Sequence, residues 1–262
     1  MIDRRTFLVQ TSALAASSLV SSNLFSQPLS SQPQIPNRDT SLKFNSDGTR
    51  RPFAGNTVIC HLPVQCAMRD AMLELHSAME QSSFRQKLGL TSTDSYHMTI
   101  FPGANDQDRS VSGWPSYVPA DAPIEVCNRM VGERMEKARL KCELPLRVRI
   151  DQAATTDFHT ACSLRMVPID PEENAKLRSV RDYLGEVYGF RLKDHATYQF
   201  HITMSYQMAP FTPDERSAYR ELLAKHIRQI INAQPVLELG NPEYCTFPDM
   251  FRFDPRKLLV CA

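Results

Sequence analysis

Tyr96-His97-Met98-Thr99-Ile100 and Phe200-His201-Ile202-Thr203-Met204 share one form: aromatic, His, apolar, Thr, apolar. In a β-strand residues i and i+2 point to the same face, so each stretch projects its imidazole and hydroxyl together and sends the intervening apolar side chains into a core behind. The second follows the first by 201 − 97 = 104 residues. The same offset carries Cys60, at the end of the strand-like run Thr57-Val58-Ile59-Cys60, onto Leu164 in the alternating run Cys162 to Val167, and carries Leu73 onto Leu177. Strand, helix and histidine-bearing strand therefore recur in register, the self-similarity of a duplicated unit. Two such units predict a bilobed α+β fold, with two antiparallel sheets related by a pseudo-two-fold axis and helices packed outside.

The flanking sequence fits this frame. Met68, Met72, Leu75 and Met79 keep helical spacing within Ala67 to about Leu88. A second helix is expected from about Ile124 to Cys142, followed by a half-exposed strand from Leu144 to Ile150. Asp170-Pro171-Glu172-Glu173 opens a helix with a cap, a proline in the first turn and a reaching glutamate, and its apolar face is Leu177, Val180, Leu184 and Val187. Thr212-Pro213-Asp214-Glu215 starts another, with Leu223, Ile227, Ile230 and Ile231 toward the core. From Pro235 on, short strands are joined at Asn241-Pro242 and Pro248-Asp249.

Composition narrows the chemistry. The chain has 262 residues, 42% hydrophobic and 23% charged, which excludes disorder or coiled coil for the whole. Lys and Arg number 30 against 29 Asp and Glu, without a basic run longer than two, so no surface for long nucleic acid is expected and a small substrate fits better. No two of the 9 Gly are spaced G-x-G, which removes the dinucleotide fingerprint and the Gly-rich phosphate loop. Seven cysteines show no C-x-x-C, and their pairing cannot be read from sequence. Arg4-Arg5 ahead of a mild apolar stretch resembles a twin-arginine export signal over residues 1–26. Residues 27–52, rich in Ser, Pro, Gln and Asn, read as a flexible linker, and 53–262 as a single bilobed domain. The expectation is an exported, periplasmic or extracellular monomer with no membrane association once the signal is removed.

If the two units face each other across a cleft, each offers one His and one Thr. Opening a cyclic phosphodiester needs a base for the attacking water or hydroxyl and an acid for the departing oxygen. Two histidines near their ordinary pKa of about 6.5 divide these roles at neutral pH, one neutral and one protonated. His97 and His201 are the candidate catalytic pair. Thr99 and Thr203 are the candidate donors to the phosphate oxygens, where transition-state charge must be held. The scheme calls for no metal or other cofactor.

The two H-x-T motifs on two halves resemble the 2H phosphoesterases, and Gly55-Asn56-Thr57-Val58, Trp114-Pro115 and Pro242-Glu243-Tyr244-Cys245 are similar to an uncharacterised bacterial and fungal branch of that family. The resemblance covers roughly Phe53 to the C-terminus. It implies a bilobed α+β fold and activity on 2′,3′-cyclic phosphates, RNA ends or 2′-5′ linkages, with a small nucleotide or an oligonucleotide end as substrate.

Weaker candidates remain. Arg109, Trp114 and Tyr117 follow the first histidine strand, where a guanidinium and stacking rings would suit a nucleotide, or where the loop is simply packed by its one tryptophan. Tyr206 is expected to point away from the site, since 206 − 201 = 5 is odd. Asp194-His195-Ala196-Thr197 is a third H-x-T without the aromatic and apolar context and reads as a loop. His61, His76 and His226 are expected to be surface or core residues. Two rival readings are a metal hydrolase with His195, His201, His97 and Asp194 as ligands, and an exported protein that binds a phosphorylated or nucleotide ligand without turnover.

Overall fold

The structure is a computed structural model that describes residues 38–156 and 161–260. The twin-arginine-like stretch, residues 27–37 of the expected linker and Cys261 lie outside the described residues. In chain order the elements are α1 (Arg38–Lys43), β1 (Gly55–His61), α2 (Ala67–Glu80), β2 (Leu88–Leu90), β3 (His97–Asn105), α3 (Ile124–Met135), β4 (Leu146–Ile150), α4 (Gln152–Thr156) and β5 (Ala161–Pro168). Then follow α5 (Pro171–Tyr188), β6 (His201–Gln207), α6 (Pro213–Ala233), β7 (Leu237–Leu239), β8 (Glu243–Asp249) and β9 (Arg252–Leu258).

The strands form two antiparallel sheets with helices around them, as expected of an α+β fold. One sheet runs β3-β1-β8-β9 and the other β2-β6-β5-β4-β7. The halves are interlocked. The first lends β2 to the second sheet, and the tail returns β8 and β9 to the first.

Local chemistry accounts for the elements. The run Thr57-Val58-Ile59-Cys60, β-branched in its first three residues, is buried on both faces, which suits a central strand. Asp170 caps α5 by accepting from the Glu173 N–H at 2.8 Å, with Pro171 in the first turn. The Glu173 carboxylate turns away from the cap and binds Arg147 and Lys176 instead. On α6 the box is complete: Thr212 accepts from the Glu215 N–H at 3.2 Å, and Glu215 accepts from the Thr212 N–H at 2.7 Å. Each such cap is worth about 0.5–2 kcal/mol.

Three expectations are corrected. α2 stops at Glu80, eight residues short of Leu88, because Leu88 is drawn into β2 against β6. α3 stops at Met135, well before Cys142, and Leu140 bonds the carbonyl of Val260. Residues 38–52 are not a featureless linker: α1 forms there, Phe44 is only 1% exposed, and its ring meets Tyr206 at 5.2 Å. Burying one such aromatic is worth about 1.5–3 kcal/mol, enough to hold this short segment on the domain.

Candidate active site

The two histidine strands are duplicates down to their irregularities. β1 and β3 pair Thr57 with Pro102, Val58 with Phe101, Ile59 with Thr99, Cys60 with Met98 and His61 with His97. β5 and β6 pair Ala161 with Tyr206, Cys162 with Ser205, Ser163 with Thr203, Leu164 with Ile202 and Arg165 with His201, and every pair is the first set advanced by 104. Both ladders skip one residue, Ile100 and Met204, so each histidine strand carries a β-bulge just after its threonine.

A bulge inverts the alternation beyond it. Tyr206, expected to point away, therefore lines the cleft, as does its counterpart Pro102. The buried guanidinium of Arg181, on α5, donates to the carbonyl of the bulge residue Ile100 at 2.6 Å and lies 4.0 Å from the ring of Tyr198. α5 thus fixes the bend of one lobe and an aromatic wall of the other.

His97, Thr99, His201 and Thr203 all line a single cleft of ≈ 380 Å³, so the two lobes bring both pairs together. Each ring is held the same way. His97 Nδ1 lies 2.5 Å from the Ser95 carbonyl, and His201 Nδ1 lies 2.9 Å from that of Gln199, again 104 residues on. A carbonyl only accepts, so Nδ1 carries the proton and Nε2 keeps its lone pair in both rings.

The threonines differ in company. Thr203 shares a 3.2 Å hydrogen bond with Ser163, where the first lobe has Ile59. Thr99 instead lies beside the phenol of Tyr198 from the opposite lobe.

Electrostatics correct the expectation of ordinary histidines. Burial pushes His97 down to about 4, and repulsion from His61 and His201 adds to this against the opposing Ser95 carbonyl. His201 is also lowered, by burial first and then by Arg165 and Lys43, against Gln199 and Asp194. In the free protein both rings are therefore neutral at pH 7, and neither stands ready as the charged partner.

Other cleft residues were not legible as such. Lys43, from the segment expected to be linker, reaches the site with its ammonium 4.9 Å from the ring of Tyr206 and 5.6 Å from that of Phe53. Phe247 and Phe253 come from the tail, and Phe253 packs on the His97 ring at 4.3 Å. His61, expected to be a bystander, stands 6.2 Å from the His97 ring and binds Glu243 at 2.9 Å.

The weaker candidates fall elsewhere. Arg109 lies against Trp114 at 4.1 Å and binds Asp106 and two loop carbonyls. The buried Trp114 donates to the carbonyls of Val118 and Pro119, and Tyr117 donates to the Val187 carbonyl at 3.3 Å. None of the three lines the cleft; Arg109 and Trp114 hold their own loop, and Tyr117 ties it to α5. His195 sits in a single 3-10 turn bonded to Asp182 at 3.0 Å, so the metal set of His195, His201, His97 and Asp194 is not assembled.

The family model described as 2H-phosphodiest, Domain of unknown function (DUF1868), matches residues 43–159. The crystal structure of a conserved protein of unknown function from Agrobacterium tumefaciens is similar at 26% identity and a TM-score of 0.76, over 87% of this chain and 93% of that one. No curated protein matches the chain.

Proposed function

We propose that this chain, whose fold is 2H phosphoesterase-like, hydrolyses a small or RNA-terminal phosphodiester, a 2′,3′-cyclic phosphate in the first instance, by paired-histidine acid/base catalysis. The observation that carries the reading is one cleft lined by two His/Thr pairs whose imidazoles both present an unprotonated Nε2. In this scheme water attacks phosphorus while one Nε2 takes its proton. The P–O bond to one ribose oxygen breaks, and the second ring, protonated, gives that oxygen its proton. Thr99 and Thr203 donate to the two non-bridging oxygens, whose charge rises in the transition state. No step uses a metal ion.

The different surroundings of the rings divide the labour. His97, held down to about 4, is the base. His201 is the acid, recharged when the phosphodiester anion enters and its negative charge favours the imidazolium. Lys43 steers the anion, and the rings of Phe53, Tyr206 and Phe247 supply a wall on which a base stacks. The test is a screen of 2′,3′-cyclic nucleotides and cyclic-phosphate-ended oligonucleotides, with and without EDTA. The expected result is turnover to a monophosphate that persists in EDTA. Tight binding with no product would leave the cleft as a binding site only.

A further inference from the structure

We propose that His61, Glu243 and Cys245 form a binding site for one divalent transition-metal ion of the zinc class, beside the phosphoryl cleft and separate from its histidine pair. The donors come from two neighbouring strands. Glu243 and Cys245 are two apart on β8 and share a face, opposite Ile59 and Thr57, while His61 is the next residue of β1 on that face. An imidazole nitrogen, a carboxylate oxygen and a thiol sulfur thus converge, all within 4.8 Å of one another. Ligands on a tetrahedral zinc stand roughly 3–4 Å apart, at metal distances of about 2.0–2.3 Å, so a small inward movement of side chains closes the site.

The donor set has a chemical preference. A thiolate with an imidazole and one carboxylate suits zinc and its neighbours, whereas magnesium and calcium take oxygen. Three protein ligands leave a fourth position for water or another donor.

A second observation points to a cation. Cys245 is 0% exposed, and its thiol has no hydrogen-bond partner among the described residues. A bound cation would give this sulfur a partner, since coordination deprotonates the thiol and offsets the charge of the thiolate and of the Glu243 carboxylate together. Asp254 and Arg256 are the other charges that act on Cys245. The bound ion would add fixed positive charge near His97, whose ring stands 6.2 Å from that of His61, and so would favour the entry of an anion. Metal binding here does not depend on what the cleft catalyses.

Cobalt(II) titration of the purified full chain tests this, read by the near-ultraviolet thiolate-to-metal charge-transfer band, with zinc content after dialysis as the second measurement. One equivalent bound with that band supports the site. The band should vanish in Cys245→Ser, and affinity should fall at least ~10-fold in both His61→Ala and Glu243→Gln, the loss typical even of residues that only support a ligand. His61 is partly exposed, so His61→Ala keeps the test decisive if Cys245→Ser does not fold. No band with the native chain, or a band of full affinity in His61→Ala, overturns the proposal in favour of a plain His61–Glu243 ion pair.

Discussion

The β1/β3 and β5/β6 ladders are the same object twice, and what surrounds them is not. Register, bulge and the carbonyl that fixes each ring all repeat at 104 residues. Around His97 stand Phe253 and His61, the latter bonded to Glu243. Around His201 stand Arg165 and Lys43, and the threonine beside it is bonded to a serine where the other faces an isoleucine. The difference teaches that backbone symmetry sets the placement of the two His/Thr pairs, while side chains off the motif set the electrostatic surroundings of each ring. Two identical motifs in identical surroundings would have no basis for dividing acid from base.

The strongest way to break the comparison is to remove one ring at a time. His97→Ala and His201→Ala should each lower kcat/KM by at least ~100-fold, the smaller end for a general acid or base. Steady-state kinetics on a cyclic nucleotide reads this, and a variant with full activity would take its histidine out of the mechanism.

The helices test how far the duplication extends. Met72, Leu75 and Met79 match Leu177, Val180 and Leu184 in burial at an offset of 177 − 72 = 105, one more than the strands, so Leu73 is not the structural partner of Leu177. Leu177→Ala should cost about 2–5 kcal/mol, as for a fully buried leucine. Leu73→Ala, at a partly buried position, should cost about 1 kcal/mol. Equal losses in urea denaturation would restore the 104 offset to the helices.

Thr99→Val and Thr203→Val should each lower kcat roughly 10- to 100-fold, since a hydrogen bond to a charged group is worth about 1.5–3 kcal/mol. A change in KM alone would mean that the hydroxyl holds the ground state and not the transition state.

The smallest effect lies in the pH profile. Both rings are lowered in the free protein, so the proton needed for catalysis is lost on the acid side of 6.5. The alkaline limb of kcat/KM should begin below that value and fall about tenfold per pH unit. An optimum at or above pH 7.5 would mean that the rings keep ordinary acidity and that their asymmetry does not govern the reaction.

Much of this was legible in the residues. The i, i+2 parity of His and Thr, the offset between halves and the caps at Asp170 and Thr212 each rest on local chemistry, and the structure shows them. Tyr206 was misread because a bulge changes face without leaving a mark in the pattern of residue types. Lys43 was hidden in a polar segment, where a single buried ring, Phe44, supplies the anchorage that composition does not reveal. His61 and Glu243 are 182 residues apart, and only the return of the tail to the first sheet makes them neighbours. The tryptophan loop left two readings open, a substrate surface or a self-packed loop, because aromatic and basic residues serve stacking and self-packing equally well. Here Arg109 is spent on Trp114 and Asp106.

The return of β8 and β9 also orders events on the ribosome. β1 is flanked by β3 on one side and β8 on the other, so the lobe translated first keeps an unsatisfied edge until the last of its strands has been made. From Asn105 to Leu258 is 258 − 105 = 153 residues, about 8–30 s of synthesis at ~5–20 residues per second. During that interval the nascent amino-terminal lobe offers backbone donors and acceptors to any stray strand, so its completion waits on the finished chain, and truncation of the final hairpin would cripple the half of the molecule farthest from the cut.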